Sequence, residues 1–544
     1  MLRVQSYLNQ IINDSLKKLN YPKVGFVFDR PRLEAHGDIS INLAMVLAKK
    51  LKQNPRKIAA EIINKLDSKT AWIKNIEIAG PGFINFFLSE EYLQNSVAHI
   101  LAESDDYGSF KFGNGQKAQV EFVSANPTGP LTVGHGRQAV IGDTLANLLE
   151  CAGYEVIREY YFNNAGRQMK VLGDSVRLRY LELLDEKIEF PKDYYQGEYI
   201  KDIAKSIKED KGASLRDSED NSFFTKTAEN AIFDDIRFTL NRLNIHFDVY
   251  FNESDLYKSG EIESVLKIFE EKKLSYKKDG AIWFKSTEFG LDQDKVIVKN
   301  TGEPTYRLPD MAYHKNKLDR GFDLIVDLFG ADHIATYPDV IAGIKALGYN
   351  YKKIKVLIHQ FVTLYEGKEK IKMSTRKANF ITLDDLLDEV GEDVTRWFFL
   401  MRSMQSHLNF DLTLAKTQSD ENPVYYNQYA HARICSIFRN AEEKGIVFNN
   451  NIYNRLIEKA EFELIKKLLE FPPLVQRCIT EYEPHLLTQY LSEVSTLFHK
   501  FYTECWVIGE DIELTQARLG LCLATKIVLA NGFKILGISA PEKM

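Results

Sequence analysis

The sequence of 544 residues predicts an α/β protein in three parts: a central parallel-sheet domain with an insertion, an α+β domain before it, and an α-helical bundle after it. Three observations carry this. The chain is longer than one hydrophobic core supports, roughly 250–300 residues, so several domains are expected. From about residue 116 to 401, β-type runs alternate with amphipathic helical runs, the pattern of a parallel sheet with crossover helices. Beyond about residue 415 only helical periodicity remains. The parts are placed at 1–112, 113–410 and 411–544, with the insertion at about 185–275.

Along the first part, Val4, Leu8, Ile11, Ile12, Leu16 and Leu19 predict an opening amphipathic helix. A second helical run spans 42–66, and 72–88 reads as strands around Gly80-Pro81-Gly82. Gly108 and Gly113-Asn114-Gly115 mark a linker. The central part then reads strand 118–123, helix ending near Gly153, strand 155–162 and helix 167–184. The stretch 208–221, almost free of apolar residues, is expected to be an exposed loop. Alternation resumes with strand 322–328, helix 336–347, strand 355–364 and helix 383–401. Helices at 425–444, 452–469, 486–501 and 514–536 make the bundle. No solenoid-period repeat occurs.

Composition bounds the function. Hydrophobic residues make up 44% and charged residues 27%, as in ordinary globular proteins. The net charge of −6 attracts no nucleic acid, so any RNA contact needs local basic patches. Cys151, Cys435, Cys478, Cys505 and Cys522 form no CxxC pair, which argues against a zinc ribbon or dithiol site. They read as small buried hydrophobes in a reducing compartment. No secretory h-region and no run of eighteen uncharged apolar residues is found, so no membrane association and a cytoplasmic enzyme are expected.

Two motifs carry chemistry. Ser124, Ala125, Asn126, Pro127, Thr128, Gly129, Pro130, Leu131, Thr132, Val133, Gly134, His135 and Gly136 lie between the first strand and first helix of the sheet, where such sheets bind nucleotides. Gly129, Gly134 and Gly136 permit close backbone approach, and the helix N-terminus and His135 offer donors to phosphate. Taken alone, the segment is equally a Gly/Pro-rich turn with a structural histidine. It is neither GxxxxGK[ST] nor GxGxxG. The second motif is Glu366, Gly367, Lys368, Glu369, Lys370, Ile371, Lys372, Met373, Ser374, Thr375, Arg376 and Lys377, after the late strand. Its cations suit a mobile loop that closes over a polyphosphate and offsets charge on leaving pyrophosphate. Taken alone, a solvated basic hairpin is the better reading.

Together, T-V-G-H before a helix and K-M-S-T-R after a late strand resemble the class I aminoacyl-tRNA synthetases. The longer strings SANPTGPLTVGHGRQAVIGD at 124–143, KMSTRKANFITLDDLLDEVG at 372–391, NPVYYNQYAHARICSI at 422–437, GPGFINFFL at 80–88 and LGISAPEKM at 536–544 resemble the bacterial arginyl-tRNA synthetase family along essentially the whole chain. The resemblance implies a Rossmann-like catalytic domain, an N-terminal additional tRNA-binding domain and a helical anticodon-binding domain. It implies ATP-dependent ligation of L-arginine to tRNA(Arg) through an arginyl-adenylate, with Mg2+ accompanying ATP and no dedicated metal site. A monomer is expected.

The resemblance also implies site residues. Ala125 to His135 and Lys372 to Lys377 would bind ATP. Ser124, Asn126, Glu253, Tyr306, Asp310, Asp332 and His333 would bind arginine. Tyr306 and Asp310, four apart, would share a helix face, a carboxylate there meeting the guanidinium. Without the family, that pair is an ordinary surface pair. Asp332-His333 would lie at the C-terminal end of a strand, the ligand side of such a sheet. Tyr425, Tyr426, Tyr429, His431 and Arg433 would contact unpaired bases, although a packed helix face explains any single tyrosine as well. Lys49, Lys50 and Lys52 could reach phosphates or form a solvated face.

The chain departs from the pattern at Thr132, where class members often carry His, at Thr375, where the common motif ends in Lys, and at Ala378 and Tyr160. The competing readings are another class I synthetase, a cysteinyl enzyme for example, or a related adenylyltransferase, and a non-catalytic RNA-binding protein that keeps the fold. Absent zinc-ligand cysteines disfavour the cysteinyl enzyme, while the presence of His135 and the basic loop disfavours the RNA-binding protein.

Overall fold

The computed structural model describes all residues except 32, 68–70, 165, 219, 372–380 and 450–452. Its centre is a five-stranded, wholly parallel sheet. The strands are β1 (Lys117–Glu121), β2 (Glu155–Phe162), β3 (Val249–Asn252), β4 (Leu324–Gly330) and β5 (Ile354–His359), in the order β5-β4-β1-β2-β3. This is the doubly wound arrangement, with its topological switch between β1 and β4, where ligands collect at the strands' C-terminal ends. Helix α1 (Val133–Cys151) follows β1, α2 (Arg167–Leu183) follows β2, and α3 (Arg307–Asp319) precedes β4.

Several expected elements are subdivided. The helical run 42–66 is two helices, Leu43–Leu51 and Pro55–Lys65, because Pro55 starts a new helix and Asn54 caps it by accepting from the Arg56 N–H at 2.9 Å. The stretch 208–221 is not all loop, since the helix Glu198–Lys211 enters it. The insertion at 185–275 contains β3 of the main sheet, and a separate antiparallel sheet, Ser275–Lys278, Ala281–Phe284 and Lys295–Val298, follows it. The strand 355–364 is two strands: β5 ends at His359 and Val362–Glu366 joins another sheet beside Leu408–Asp411. The helix 383–401 breaks at Gly391, whose φ of 82° separates Leu383–Val390 from Glu392–Leu400. The expected helix 452–469 begins only at Lys459, and Phe471–Glu481 adds one the periodicity did not separate.

The terminal parts pack together. The helix Glu90–Glu103, from the end of the N-terminal part, lies against the bundle, where Gln94 donates to the Leu456 carbonyl at 2.9 Å and Tyr107 to that of Leu468 at 3.1 Å. Lys466 pairs with Asp38 at 2.7 Å. The final helix, Ile512–Leu536, is long and apolar enough to cross a membrane by length and composition, yet most of it is buried as the rod of the bundle. Its end is fixed to the sheet domain. Fully buried Arg396 donates to the carbonyls of Leu536 and Leu243, each at 2.8 Å, and to Asp143 of α1 at 2.6 Å. Gly537 has φ of 68°, and a Cβ there would lie 2.1 Å from the Arg396 Nη2.

Candidate functional site

The site begins with three carboxylates side by side. Asp327, Glu121 and Glu159 are in register on β4, β1 and β2, and all are buried. Unpaired, they would repel strongly in so dry a place. Helix α3 supplies the counter-charges from one face, at helical spacing. Lys317 bridges Glu121 at 2.5 Å and Asp327 at 2.6 Å. His314 reaches Asp327 at 3.0 Å, Tyr313 donates to Glu159 at 2.6 Å, and Arg320 holds Glu159 through both terminal nitrogens. Although burial opposes it, Lys317 and His314 hold the Asp327 carboxyl well below the usual range.

One turn earlier on that face stands Asp310, half-buried and without such a partner among the described residues. Burial pushes its carboxyl up to about 7; Glu121 and Glu253 add to the rise, while His314 and Lys317 oppose it. Glu253 opens the helix after β3 and accepts from the Tyr161 hydroxyl at 3.0 Å; burial raises its carboxyl too. Asp310, Glu253 and Tyr161 thus form an anionic pocket on the β2–β3 side, suited to a cation. Tyr306 has helical backbone angles at the start of α3, and the Asp310 N–H donates to its carbonyl at 3.3 Å, so the two stand one turn apart; the Tyr306 side chain is 86% exposed. Glu121 was not singled out by the sequence, and it forms the floor beside this pocket.

The loop after β1 is strained. Val123 and Ser124 have φ of 67° and 41°, and positive φ is costly for a β-branched residue. The strain is held by hydrogen bonds. Ser124 Oγ donates to Glu121 at 2.9 Å and accepts from the Tyr161 N–H at 3.1 Å; Tyr160 donates to the Ala125 carbonyl at 2.9 Å, and Tyr199 to that of Thr128 at 2.5 Å. The three glycines divide. A Cβ on Gly134 would meet only the Thr132 Oγ1, at 3.7 Å, whereas one on Gly136 would lie 2.5 Å from Leu383 and one on Gly129 3.1 Å from Tyr199. Only Gly134 therefore leaves room for a ligand; the other two serve packing.

At the start of α1 the Thr132 N–H donates to His135 Nδ1 at 3.2 Å. The ring proton of the neutral imidazole is thus on Nε2, which is left as a donor. Burial pushes His135 down to about 4, Asp332 opposing. Asp332 and His333 follow β4 directly, and a Cβ on Gly330 would lie 2.5 Å from Asp332 Oδ1 and 3.8 Å from His359 Nε2. His359 ends β5 and was not anticipated. Lys372, Met373, Ser374, Thr375, Arg376 and Lys377 lie outside the described residues. The chain on their far side meets the first motif, since the Leu383 N–H donates to the Leu131 carbonyl at 2.8 Å and Thr382 bridges Thr132.

On the bundle, Tyr425, Tyr426, Tyr429 and Arg433 occupy the helix Pro423–Glu443 and are partly exposed. His499 and Tyr502 of the helix His485–Glu504 complete the cluster, with Tyr426 and His499 rings 5.0 Å apart and Arg433 5.4 Å from the Tyr502 ring centre. His431 is different: 2% exposed, with Nδ1 2.9 Å from the Pro541 carbonyl, it packs inward and presents nothing to a base.

Comparison with known proteins matches three family models: the arginyl tRNA synthetase N terminal domain over residues 6–88, the catalytic domain of tRNA synthetases class I (R) over 96–405, and the DALR anticodon binding domain over 427–544. The arginine–tRNA ligase of Desulfotalea psychrophila is 50% identical over 522 residues, 95% of each chain. That of Salinibacter ruber is 49% identical over 561 residues, covering 100% of this chain and 98% of its own. The Thermus thermophilus arginyl-tRNA synthetase structure superposes with a TM-score of 0.79 at 22% identity over 100% of both chains, a likeness of fold.

Proposed function

This chain belongs to the arginyl-tRNA synthetase family, a class I ATP-dependent ligase of arginine and tRNA, and from that premise we propose how its residues divide the work. The reaction of the class needs no protein nucleophile. The arginine carboxylate attacks the α-phosphate of ATP, pyrophosphate leaves, and the tRNA terminal hydroxyl then takes the arginyl group from AMP. Catalysis is positioning and charge stabilisation.

Asp310 and Glu253 take the guanidinium, with Tyr161 orienting Glu253. The single observation that supports this is Asp310 itself. It is a carboxylate raised by burial beside further carboxylates, which an incoming guanidinium would stabilise through paired hydrogen bonds. Ser124 sets Glu121 and the strained turn, and Asn126 stands in the loop between the two substrates. Asp332 and His333 border the place where the amino-acid end of arginine meets the nucleotide. Tyr306 stands at the pocket's exposed rim.

The neutral His135 donates through Nε2 to the phosphates, aided by the N–H groups at the start of α1 and the lack of close packing against Gly134. Thr132 spends its N–H on His135, so its contribution is to fix that ring. Ala125 to Pro130 shape the turn, and Leu131 and Val133 anchor it in the core. Lys372, Met373, Ser374, Thr375, Arg376 and Lys377 are assigned by sequence to the pyrophosphate side. Mg2+ arrives with ATP and offsets phosphate charge.

Tyr425, Tyr426, Tyr429 and Arg433, with His499 and Tyr502, take unpaired bases of tRNA(Arg). The division into 1–112, 113–410 and 411–544 is read as tRNA-binding, catalytic and anticodon-binding domains of a cytoplasmic monomer that uses no membrane. The test of the pocket is Asp310→Ala in pyrophosphate exchange with tRNA present. The Michaelis constant for arginine should rise at least tenfold more than that for ATP; equal rises refute the assignment.

A further inference from the structure

Of the histidines at the nucleotide side of the sheet, His135 and His359 have hydrogen bonds that give them opposite character. His135 Nδ1 accepts a backbone N–H, so its Nε2 is a donor. His359 Nδ1 lies 3.3 Å from the Gln360 carbonyl oxygen, which only accepts. Nδ1 of His359 therefore carries the proton, and its Nε2 is a bare acceptor. Burial holds His359 down at about 4, with the Gln360 carbonyl opposing and Arg137 adding to the fall, so the ring stays neutral.

The Gln360 carbonyl is itself fixed. Arg137, fully buried two residues after His135, donates to it at 2.7 Å and also to the carbonyls of Ser406 and Ser403, both at 3.0 Å. The guanidinium thus ties the start of α1 to the chain that leaves β5. It sets the acceptor that sets the His359 tautomer.

His359 Nε2 and Asp332 Oδ1 both lie over Gly330, its register partner being His359. A neutral acceptor beside a carboxylate calls for a ligand with two hydrogen-bond donors. Arginine's α-ammonium and the ribose diol of ATP both qualify. Position decides between them. Strands lie ~4.8 Å apart, so β5 is about 14 Å from β2 and about 19 Å from β3, where Tyr161 and Glu253 stand. An extended arginine spans roughly 7 Å from guanidinium to Cα, about two Cα–Cα steps of chain, so from that pocket its amino end stops on the near side of Asp332, short of β5.

We infer that His359 accepts a hydrogen bond from a ribose hydroxyl of ATP, with Arg137 as the positioning residue that fixes its ring through the Gln360 carbonyl. This rests on the nucleotide occupying the β1–β4–β5 side, as proposed above. It would give the enzyme a neutral, ring-borne test for the ribose hydroxyl, next to the carboxylate of Asp332.

The experiment is pyrophosphate exchange by the full chain with tRNA present, using ATP, 2′-deoxy-ATP and 3′-deoxy-ATP. The wild type should lose about tenfold in kcat/KM with one of the deoxynucleotides, the effect of leaving one buried acceptor unpaired. His359→Ala should lose a similar factor with ATP and nothing further with that deoxynucleotide. Arg137→Met should show a smaller loss with the same cancellation. If the two losses multiply instead, or if the wild type accepts both deoxynucleotides as well as ATP, His359 holds no ribose hydroxyl and the inference fails. Cancellation with 5-guanidinopentanoate, which lacks the α-amino group, in place of the deoxynucleotide would assign His359 to arginine and also overturn it. A chain that shows no arginine-dependent exchange with ATP at all would refute the underlying reading, a result distinct from these.

Discussion

Arginine binding should release a proton, and the amount follows from one residue. The Asp310 carboxyl is pushed up to about 7 by burial, with Glu121 and Glu253 raising it further and His314 and Lys317 pulling it down. In the free enzyme at pH 6 only about one Asp310 in eleven is ionised, and at pH 8 about ten in eleven. The guanidinium binds the ionised form, so arginine affinity should fall about tenfold from pH 8 to pH 6, ~1.4 kcal/mol. Titration calorimetry at pH 6 in two buffers of different ionisation enthalpy should report close to one proton released. Asp310→Asn should bind weakly and equally at both pH values. The raised carboxyl also costs the free protein stability as pH climbs from the ordinary carboxylate range through 7, so Asp310→Asn should melt higher than wild type at pH 8. Proton uptake on binding, or an arginine affinity independent of pH over this window with Asp310 intact, would refute the reasoning.

Four other substitutions separate chemistry from packing. His135→Ala should lower kcat about 10²–10³-fold, as loss of one transition-state donor does; the wild-type contribution of His135 should not vary between pH 6 and 8, since its ring is neutral there. Gly330→Ala meets no backbone penalty at φ −69°, yet its Cβ would press on Asp332 at 2.5 Å, so KM for ATP should rise with an unchanged melting temperature. Gly537→Ala should do the reverse. Its φ of 68° and the 2.1 Å clash with Arg396 should cost about 2–5 kcal/mol in denaturant unfolding, with substrate constants little changed in what remains folded. Lys317→Met strands Glu121 and Asp327 and should destabilise by roughly 3–5 kcal/mol, read in the same titration.

The order of elements was legible because the period of apolar residues changes cleanly, from alternating strand and helix to helix alone. Element ends were less so. Pro55 and Gly391 each divide a helix within an uninterrupted apolar pattern, and the turn after His359 sends one apolar run into two sheets. The first motif was readable as a ligand loop, but the reason for each glycine was not: Gly136 and Gly129 answer to Leu383 and Tyr199, which lie far off in the chain. Glu121, Glu159 and Asp327 did leave a trace, a carboxylate inside each of the runs AQVEF, REYYF and IVDLF. A charge in a buried strand demands a partner. The partners, spaced along Tyr313, His314, Lys317 and Arg320, appear only when α3 is laid across the sheet. His359 was silent because its tautomer is set by contacts with Gln360 and, through it, Arg137, more than two hundred positions away. His431 misled because a histidine among tyrosines on a helix gives no sign of which way it faces.

The most direct test is pyrophosphate exchange into ATP, run with each of the twenty amino acids, with and without tRNA(Arg). A pocket built on Asp310 and Glu253 predicts exchange with arginine, dependent on the tRNA, and none approaching it with the other nineteen. Exchange supported by another amino acid, with arginine inert in the presence of its tRNA, would contradict the account.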